Sequence, residues 1–574
     1  MIEMFLKFKV QIPDVSGKLV RKKRGGQTFV EFEYDRTYDP VKKFTYPKRA
    51  SIGKVDPDNP NLMTPNENYL KYFPDAEIPN ERDRSSRSPY LKIGSYVVLK
   101  KLITDTRIRE ILNEYMGDKD AGLVLDLACY SIIAENNAVQ YYPDYAYDHP
   151  LFTPEMKMYS DAKVGNLFKS LRPEQTVGFL NSWNKGRNKR QRIYISYDST
   201  NKNCQAGDID LVEYGKPKTN VGLPIFNYSV AFDTENKEPL FYEQYPSSVN
   251  DVSQLTCMID KAYGYGYRKL GFILDRGYFS QKNLKYIDEM GYSYIIMVKG
   301  MKDFIRETVL ENQGKFETSR AKYIEKFDVY GTMVKKRLFE TEEKDRYVHI
   351  YYSDGRAYGE KQEIKQKIRR IKAYLLKCQG KECNPFGSEI QKYFYLHYEK
   401  DGKTFKLAEE NTGAIEKELS LAGYFAIVST DNMTAKEALE LYKSRDASEK
   451  LFRADKSYLG NKSMRVGSDE ALATKIFVQF IALILRGRIY ASLKEKCETM
   501  LKKPNYMTVP ASVKELEKIV MIRHLDGIYR LDHAVTATQK TILDSFGLNE
   551  GNVRYRAEEI SKELKKIELE KEEN

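Results

Sequence analysis

The stretch KLGFILDRGYFS, Lys269–Ser280, decides the fold class. Its apolar residues run without the alternation of a half-exposed strand, so they predict a buried strand that ends at Asp275. The residues QKNLKYIDEMG that follow predict a helix, and YSYIIMVKG, Tyr292–Gly300, predicts a second buried strand. A succession of strand, helix and strand is typical of two parallel strands joined by a crossover.

The residues before this stretch add antiparallel strands to the same sheet. The segment RIYISYD, Arg192–Asp198, is β-branched and aromatic, which predicts a strand that stops at Asp198. The segment Ile225–Tyr245 predicts a hairpin that turns at DTENKE, and a helix separates it from the parallel pair. The sequence therefore predicts an α/β fold with a mixed sheet.

The residues after Gly300 interrupt this pattern before it resumes. Residues 304–411 contain alternating strands around a basic helix at about Glu360–Cys378, and we interpret them as an insertion that splits the α/β domain. A further strand is predicted at Ala422–Asp431. Thr434 and Glu437 then form a capping box, which fixes the start of a long helix.

Composition limits the class of protein. A chain of 574 residues is too long for one core, and six cysteines without a disulfide framework are typical of a reducing cytosol. The longest apolar run, Ile476–Leu485, is about half of a membrane span and predicts a buried helix. The charge of +12 includes two basic clusters, Gly17–Gly26 and Asn184–Arg192, which suggest contact with a polyanion, first of all nucleic acid. A merely solubilising surface explains the clusters as well.

One charged stretch, LYKSRDASEKLFRADK at Leu441–Lys456, carries an unusual set of side chains. On a single helix, Tyr442, Arg445, Glu449 and Lys456 fall within one arc. An ordinary surface helix favours Glu-to-Lys pairs four residues apart, and no Glu and Lys of this set have that spacing. We therefore expect the four side chains to converge on one target, with a solvated helix face as the alternative.

Three carboxylates complete a candidate site. Asp198 and Asp275 end predicted strands of one sheet, and Glu449 lies on a helix expected to pack across that sheet. Carboxylates without nearby His or Cys suit Mg²⁺ or Mn²⁺ rather than zinc. Two such ions can activate an oxygen nucleophile and stabilise the leaving oxygen of a phosphodiester. Each aspartate alone is equally well explained as a turn or cap residue.

The pattern Y-(2)-R-(3)-E-(6)-K resembles the signature of bacterial insertion-sequence transposases of the DDE class, in the branch with a β-rich insertion. The segments YISYDSTN and ILDRGYFS are similar to those around the first and second catalytic aspartates of that family. The resemblance implies an RNase H-like catalytic domain and cut-and-paste phosphoryl transfer. It implies catalytic and metal-ligand roles for three residues and transposon-end contacts for three others: Asp198, Asp275 and Glu449, and Tyr442, Arg445 and Lys456.

The resemblance also implies partners and a location. We expect Mg²⁺ with Mn²⁺ as a substitute, double-stranded DNA of transposon ends and target, and a homodimer on that DNA. We expect neither a membrane nor a nucleotide cofactor, and we expect action at the nucleoid in a bacterial cytoplasm. One departure is Thr474–Lys475, where relatives usually have a Gly-His or Gly-Lys pair.

With these roles, the sequence predicts six regions. They are a basic, strand-containing N-terminal region (1–90), a helical DNA-binding region (91–185), an RNase H-like catalytic domain in two parts (186–303 and 412–500), the β-rich insertion between them (304–411), and a helical C-terminal region with a charged tail (501–574). Two other functions remain open, a transposase-derived DNA-binding protein that does not cut and an RNase H-like structure-specific nuclease.

The basic helix of the insertion is a further candidate DNA contact. Lys365, Arg369 and Arg370 lie on it with few acids nearby. We expect them to hold the strand being cut or a base turned out of the duplex. The alternative is a packing or dimerisation module whose cations are only solvated. Trp183, beside the second basic cluster, is expected in the core rather than stacked on a base.

Overall fold

The computed structural model describes residues 5–6, 8–76, 87–187, 192–205, 209–215, 222–249, 251–298, 302–339, 344–383, 386–524 and 526–573. Part of the basic cluster Asn184–Arg192 thus lies outside the described residues. The chain divides into two compact units. The first consists of Met1–Phe179, Asp455–Asn461 and Ser468–Asn574, and the second of Leu180–Ala454 and Lys462–Gly467.

The first unit begins with an antiparallel sheet of five strands. Their order is β1-β5-β4-β3-β2, and a short helix, α1 (Glu67–Tyr72), follows the last of them. The side chains of Val30, Ile52, Met63 and Tyr69 form its core. The strands are β1 (Val10–Gln11), β2 (Leu19–Arg24), β3 (Gln27–Asp39), β4 (Phe44–Val55) and β5 (Leu62–Pro65).

The rest of the first unit is mainly helical. Its helices are α2 (Gly94–Thr106), α3 (Ile108–Ile133), α4 (Tyr142–Asp148), α5 (Asp161–Ser170), α6 (Pro173–Lys185, which continues along the chain into the second unit), α15 (Asp469–Glu498), α16 (Val509–Leu516), α17 (Ala537–Asp544) and α18 (Glu550–Glu573). A small sheet has the order β20-β19-β6, with the strands β6 (Tyr90–Lys92), β19 (Val520–Arg523) and β20 (Tyr529–Leu531).

Helix α15 is the core helix of this unit. It is the one described helix long and apolar enough to cross a membrane, and 72% of its most apolar window is buried inside the structure. The buried helix predicted at Ile476–Leu485 is therefore confirmed. Elsewhere in this unit, Ser160 caps α5 and Pro173 is the first residue of α6.

The second unit contains a mixed sheet of ten strands. Nine of them have the order β12-β13-β14-β17-β11-β10-β7-β8-β9, and β18 pairs with β7. Strand β10 is parallel to β7 and β11, and β8 and β9 continue the sheet antiparallel to their neighbours. The strands are β7 (Ile193–Cys204), β8 (Ile225–Asp233), β9 (Glu238–Pro246), β10 (Leu270–Leu274), β11 (Ser293–Met297), β12 (Tyr323–Ile324), β13 (Val329–Arg337), β14 (Asp345–Tyr352), β17 (Tyr424–Ser429) and β18 (Ser463–Met464).

Helices connect these strands as the sequence predicts. The hairpin β8–β9, the helix α7 that separates it from β10, and the parallel pair β10 and β11 joined through α8 are confirmed, so the fold is mixed α/β. Every residue of β10 is buried, as expected for a strand covered on both faces. The helices along this unit are α7 (Asp251–Gly264), α8 (Gln281–Glu289), α9 (Lys302–Asn312), α10 (Asp354–Cys378), α11 (Ser388–Tyr393), α12 (Thr412–Ser420), α13 (Ala435–Lys443) and α14 (Asp446–Tyr458, whose last turn belongs to the chain segment of the first unit).

Strand β7 is longer than predicted. It does not stop at Asp198 but continues to Cys204, and β8 pairs with it as far as Asn203 opposite Ile225. The polar residues of this extension are tolerated because they have partners inside the unit. The Lys202 ammonium, for example, lies 4.5 Å from the centre of the Tyr228 ring.

Within the predicted insertion, β12, β13 and β14 belong to the mixed sheet, whereas residues 354–420 form a separate insertion lobe. The lobe contains α10, α11, α12 and the antiparallel pair β15 (Phe394–Tyr398) and β16 (Phe405–Glu410), around an apolar core of its own. Its two ends meet, because the Ser353 amide donates to the Gly423 carbonyl at 3.1 Å. The Gly423 amide in turn donates to Glu360 at 2.8 Å.

Candidate active site

The register of the central strands brings Asp198 and Asp275 to the same level of the sheet. Strands β7 and β10 are parallel neighbours, and Leu274 pairs with Tyr197. The next position of this register places Asp275 opposite Asp198, on chains about 4.8 Å apart. Asp198 lies inside β7, whereas Asp275 follows β10 and precedes a 3₁₀ turn at Arg276–Tyr278.

The long helix predicted after Thr434 is two helices. The capping box of Thr434 and Glu437 is confirmed, but α13 ends at Lys443 and α14 begins at Asp446. Two serine hydroxyls bond to backbone carbonyls at the break: Ser444 donates to Leu441 at 2.6 Å, and Ser448 donates to Arg445 at 2.8 Å. Such local bonds compete with a continuous helix. The four signature side chains therefore do not share one arc of a single helix, and that prediction is wrong.

A hydrogen bond between two serine hydroxyls joins α14 to the sheet. The hydroxyls of Ser196 and Ser448 are 2.7 Å apart, and both side chains are fully buried. Side chains two positions apart in a strand point to the same face, so Ser196 and Asp198 share the face on which α14 begins. Glu449 directly follows Ser448, the residue that bonds to this face of the sheet.

The Arg445 guanidinium links the carboxylates. It forms an ion pair with Glu449, four residues further on, and its Nη1 lies 3.7 Å from a carboxylate oxygen of Asp275. Burial alone would lower the pKa of Arg445, but the charges of Asp275, Tyr442, Glu449 and Asp198 raise it overall. All three predicted carboxylates thus act electrostatically on one cationic group.

The three carboxylates are suitable ligands for a divalent cation, but the structure does not arrange them around one position. Three carboxylates without His or Cys are donors that Mg²⁺ and Mn²⁺ prefer. Among the described residues, however, no group of three or more His, Cys, Asp or Glu side chains is arranged to hold a metal ion. The Arg445 guanidinium lies between Asp275 and Glu449 and contacts both.

Tyr442 is part of the core beneath this site. Its side chain is buried against Ile273, Ile295 and Leu439, and burial raises the pKa of its hydroxyl. The Arg445 guanidinium lies 5.9 Å from the centre of its ring. The structure therefore gives Tyr442 a supporting position below Arg445, and its predicted DNA contact stays a prediction.

The remaining predicted residues lie at other positions. Lys456 is in the last turn of α14, within the chain segment of the first unit, and Thr474–Lys475 is buried in α15. The Trp183 side chain is buried and its indole nitrogen donates to the Pro239 carbonyl at 3.1 Å, which confirms its predicted core position.

The cations predicted on the insertion helix divide into two groups. Lys367 and Lys372 of α10 pair with Glu389 and Glu410 of the lobe, at 2.5 and 2.9 Å. Lys365, Arg369 and Arg370 are exposed, and none of the three forms an ion pair with a described residue. Arg370 donates only to Gln366, at 3.4 Å. A ligand can reach these three, and it can also reach Lys361 and Lys377, which are exposed on the same helix.

Sequence reasoning missed the serine pair and the role of Arg445 between carboxylates. Ser196 and Ser448 are 252 positions apart and carry no motif of their own. The four-residue spacing of Arg445 and Glu449 was the available signal for their ion pair.

Comparison with known proteins adds one family match. Residues 196–485, which include Asp198, Asp275 and Glu449, match the family model described as Transposase DDE domain. One similar solved structure is a cryo-EM structure of the piggyBac transposase synaptic complex with hairpin DNA. It is 11% identical over 80% of this chain and 81% of that chain, with a TM-score of 0.34. No curated protein matches the chain.

Proposed function

Because the chain belongs to the family of transposases with a DDE domain, we propose that it is a cut-and-paste DNA transposase of a bacterial insertion sequence. The observation that carries the proposal is the group around Arg445. Asp198 and Asp275 are level on parallel neighbouring strands, and Arg445 contacts both Asp275 and Glu449. The proposed branch is the one with the Y-(2)-R-(3)-E-(6)-K signature and a β-rich insertion.

We further propose that the sheet of the second unit is RNase H-like. Three facts support this assignment. Strands β9, β8 and β7 are successive antiparallel neighbours, β10 joins β7 in parallel, and β11 joins β10 in parallel. In chain order, Asp198 lies in the first of these five strands, β7, and Asp275 directly follows the fourth, β10.

In the proposed reaction, Asp198, Asp275 and Glu449 hold Mg²⁺, for which Mn²⁺ can substitute. When bound, such ions activate the attacking oxygen and stabilise the leaving oxygen of a phosphodiester. Arg445 offers two parallel donors to a phosphate once it leaves the carboxylates, and Lys456 offers a point charge. Tyr442 supports Arg445 from the core.

The proposed partners are the double-stranded ends of the element and its target DNA. Joining two ends to one target suggests a homodimer in the DNA complex, since pairing of equivalent ends has two-fold symmetry. We place this activity at the nucleoid, in the bacterial cytoplasm. The six regions predicted from the sequence remain our proposal for how the chain is organised.

The test uses labelled duplexes that carry the element's ends, random duplexes and branched DNA, each with Mg²⁺. We expect cleavage of end-bearing duplexes only, and its loss in Asp198→Asn, Asp275→Asn and Glu449→Gln with end binding retained. Asp446→Asn is the matched control, because this exposed acid of α14 forms its ion pair with Lys450, at 2.5 Å, and not with Arg445. Binding without cleavage by the parent protein would indicate a non-cutting regulator, and preference for branched DNA a structure-specific nuclease.

A further inference from the structure

The far part of the β3–β4 hairpin extends beyond the sheet of the first unit. Strand β2 pairs with β3 only as far as Phe32, and β5 pairs with β4 only at Gly53–Val55. Residues 35–48 therefore pair only with each other among the described strands, and we call residues 34–49 the β-arm. At about 3.4 Å per residue, the paired strands of the β-arm reach roughly 17 Å past the sheet.

The β-arm exposes aromatic side chains on a two-stranded ribbon without a core. The exposed fractions are 59% for Tyr38 and 63% for Phe44, and Val41 at the tip is 89% exposed. Tyr34 and Tyr46 are also exposed. Apolar surface of this kind, rimmed by charge, marks a binding site more often than a scattered surface residue does.

The cations of the β-arm are not all engaged in ion pairs. Residues 35–49 contain five Lys or Arg and two Asp, which gives 5 − 2 = +3. Arg36 and Arg49 pair with Glu33, and Lys48 pairs with Asp35 at 3.0 Å. Lys42 and Lys43 at the tip form no ion pair with any described residue, so the excess positive charge is concentrated there.

The tip is held in one shape. The Asp39 carboxylate accepts hydrogen bonds from the amides of Val41 and Lys42, at 2.9 and 3.2 Å. Lys43 has a left-handed backbone with φ of 47°, which closes the turn. At the base of the β-arm, the rings of Tyr34 and Tyr72 are stacked at 5.1 Å. A ribbon fixed at both ends loses little conformational entropy when it binds.

We propose that the β-arm is a groove-binding element for double-stranded DNA. The major groove is about 12 Å wide and 8.5 Å deep, and it admits a two-stranded ribbon. The tip lysines Lys42 and Lys43 then meet backbone phosphates, while Tyr38 and Phe44 lie against sugars and base edges. The choice of DNA as the ligand rests on the proposed function. Two copies of the β-arm would repel each other, so charge favours a polyanion over self-association.

The experiment measures binding of the full-length protein to a mixed-sequence 30-base-pair duplex and to one of its single strands, over a series of salt concentrations. Lys42→Gln with Lys43→Gln is expected to weaken duplex binding about tenfold and to reduce the log–log salt slope by roughly two units, because each lost phosphate contact contributes about 0.9. Tyr38→Ala with Phe44→Ala is expected to weaken binding about as much without a change in slope.

The matched control is Lys502→Gln with Lys503→Gln, which removes the same charge from two exposed adjacent lysines after α15. The control is expected to keep the affinity and slope of the parent. Because the β-arm lies outside the apolar core, all variants should keep the parent's melting temperature.

The outcomes separate the two proposals. If the parent binds the duplex and the β-arm variants match the control, the inference about the β-arm is overturned and the proposed function stands. If the parent binds no duplex at all, both are overturned. Groove binding would also be overturned if the β-arm variants lost more affinity for the single strand than for the duplex. The same holds if the variants kept their affinity but changed oligomeric state in sedimentation.

Discussion

Removing Arg445 should strengthen the binding of a divalent cation to the protein alone. In the structure this guanidinium contacts Asp275 and Glu449, two of the three proposed metal ligands. A cation that binds these carboxylates must displace Arg445 and break both contacts. In Arg445→Ala the carboxylates repel one another without compensation, so the free state is less favourable and the cation gains affinity.

The magnitude follows from the exposure of the two pairs. The exposed fraction of the side chain is 18% for Arg445, 40% for Asp275 and 48% for Glu449, so solvent screens both interactions. Partly exposed ion pairs contribute about 0.2–1 kcal/mol each, which gives at most about 2 kcal/mol for the two. The sum is about 0.4–2 kcal/mol, and since 1.4 kcal/mol corresponds to a factor of ten, we expect Mn²⁺ to bind about 2- to 30-fold more tightly.

The assay is a titration of the DNA-free protein with Mn²⁺, in which electron paramagnetic resonance detects the free ion. Lys443→Ala is the matched control, because Lys443 is exposed, is two residues from Arg445 and forms no ion pair with a described residue. The control should leave the Kd unchanged. An Arg445→Ala protein that binds Mn²⁺ no more tightly than the control would refute the view that Arg445 competes with the metal.

Two further predictions concern other parts of the chain. Replacing Lys365, Arg369 and Arg370 together by Gln should slow strand cleavage and joining about tenfold, because phosphate contacts are lost, while the melting temperature stays unchanged. The control variant replaces Lys381, Lys400 and Lys403 of the same lobe by Gln. Equal rates in the two variants would show that α10 has a packing role and does not contact DNA. Burial alone would lower the pKa of His149, but its contacts with Asp148 at 2.5 Å and Glu517 at 2.7 Å raise it to about 9. A raised pKa stabilises the fold below the unfolded value of about 6.5, and this contribution, on the order of 3 kcal/mol, is lost as the pH rises through 9. Urea unfolding at pH 6 and pH 9 should show that loss in the parent but not in His149→Gln, and an equal loss in both would contradict it.

The sequence predicted those parts of the fold that depend on local pattern. The unbroken apolar run of β10, the hairpin β8–β9 and the capping box at Thr434 each have a signal within a few residues. The position of Asp275 after a buried strand followed from the same reasoning. That Asp275 is level with Asp198 depends in addition on the register of β7 and β10, in which Leu274 pairs with Tyr197.

The parts that could not be predicted depend on contacts between distant residues. The extension of β7 past Asp198 is polar, and its burial follows from partners such as Tyr228 that belong to another strand. The helix break at Ser444–Arg445 follows from serine hydroxyls that bond to the backbone, which composition does not distinguish from exposed serines. Strands β13 and β14 join the main sheet through β17, which follows them by more than 70 positions.

Because the two ends of the insertion lobe meet, the length of the lobe can change with little effect on the folding of the sheet. Strands β14 and β17 are antiparallel neighbours, and Ser353 bonds to Gly423 where they end, so the lobe is an enlarged hairpin loop of roughly 70 residues. The closure entropy of such a loop rises only by about 0.6 kcal/mol for each doubling of its length. The sheet that holds Asp198 and Asp275 therefore keeps its register whatever the size of this loop. Because the lobe has an apolar core of its own, it can gain or lose segments as a module while the strands beneath it stay paired.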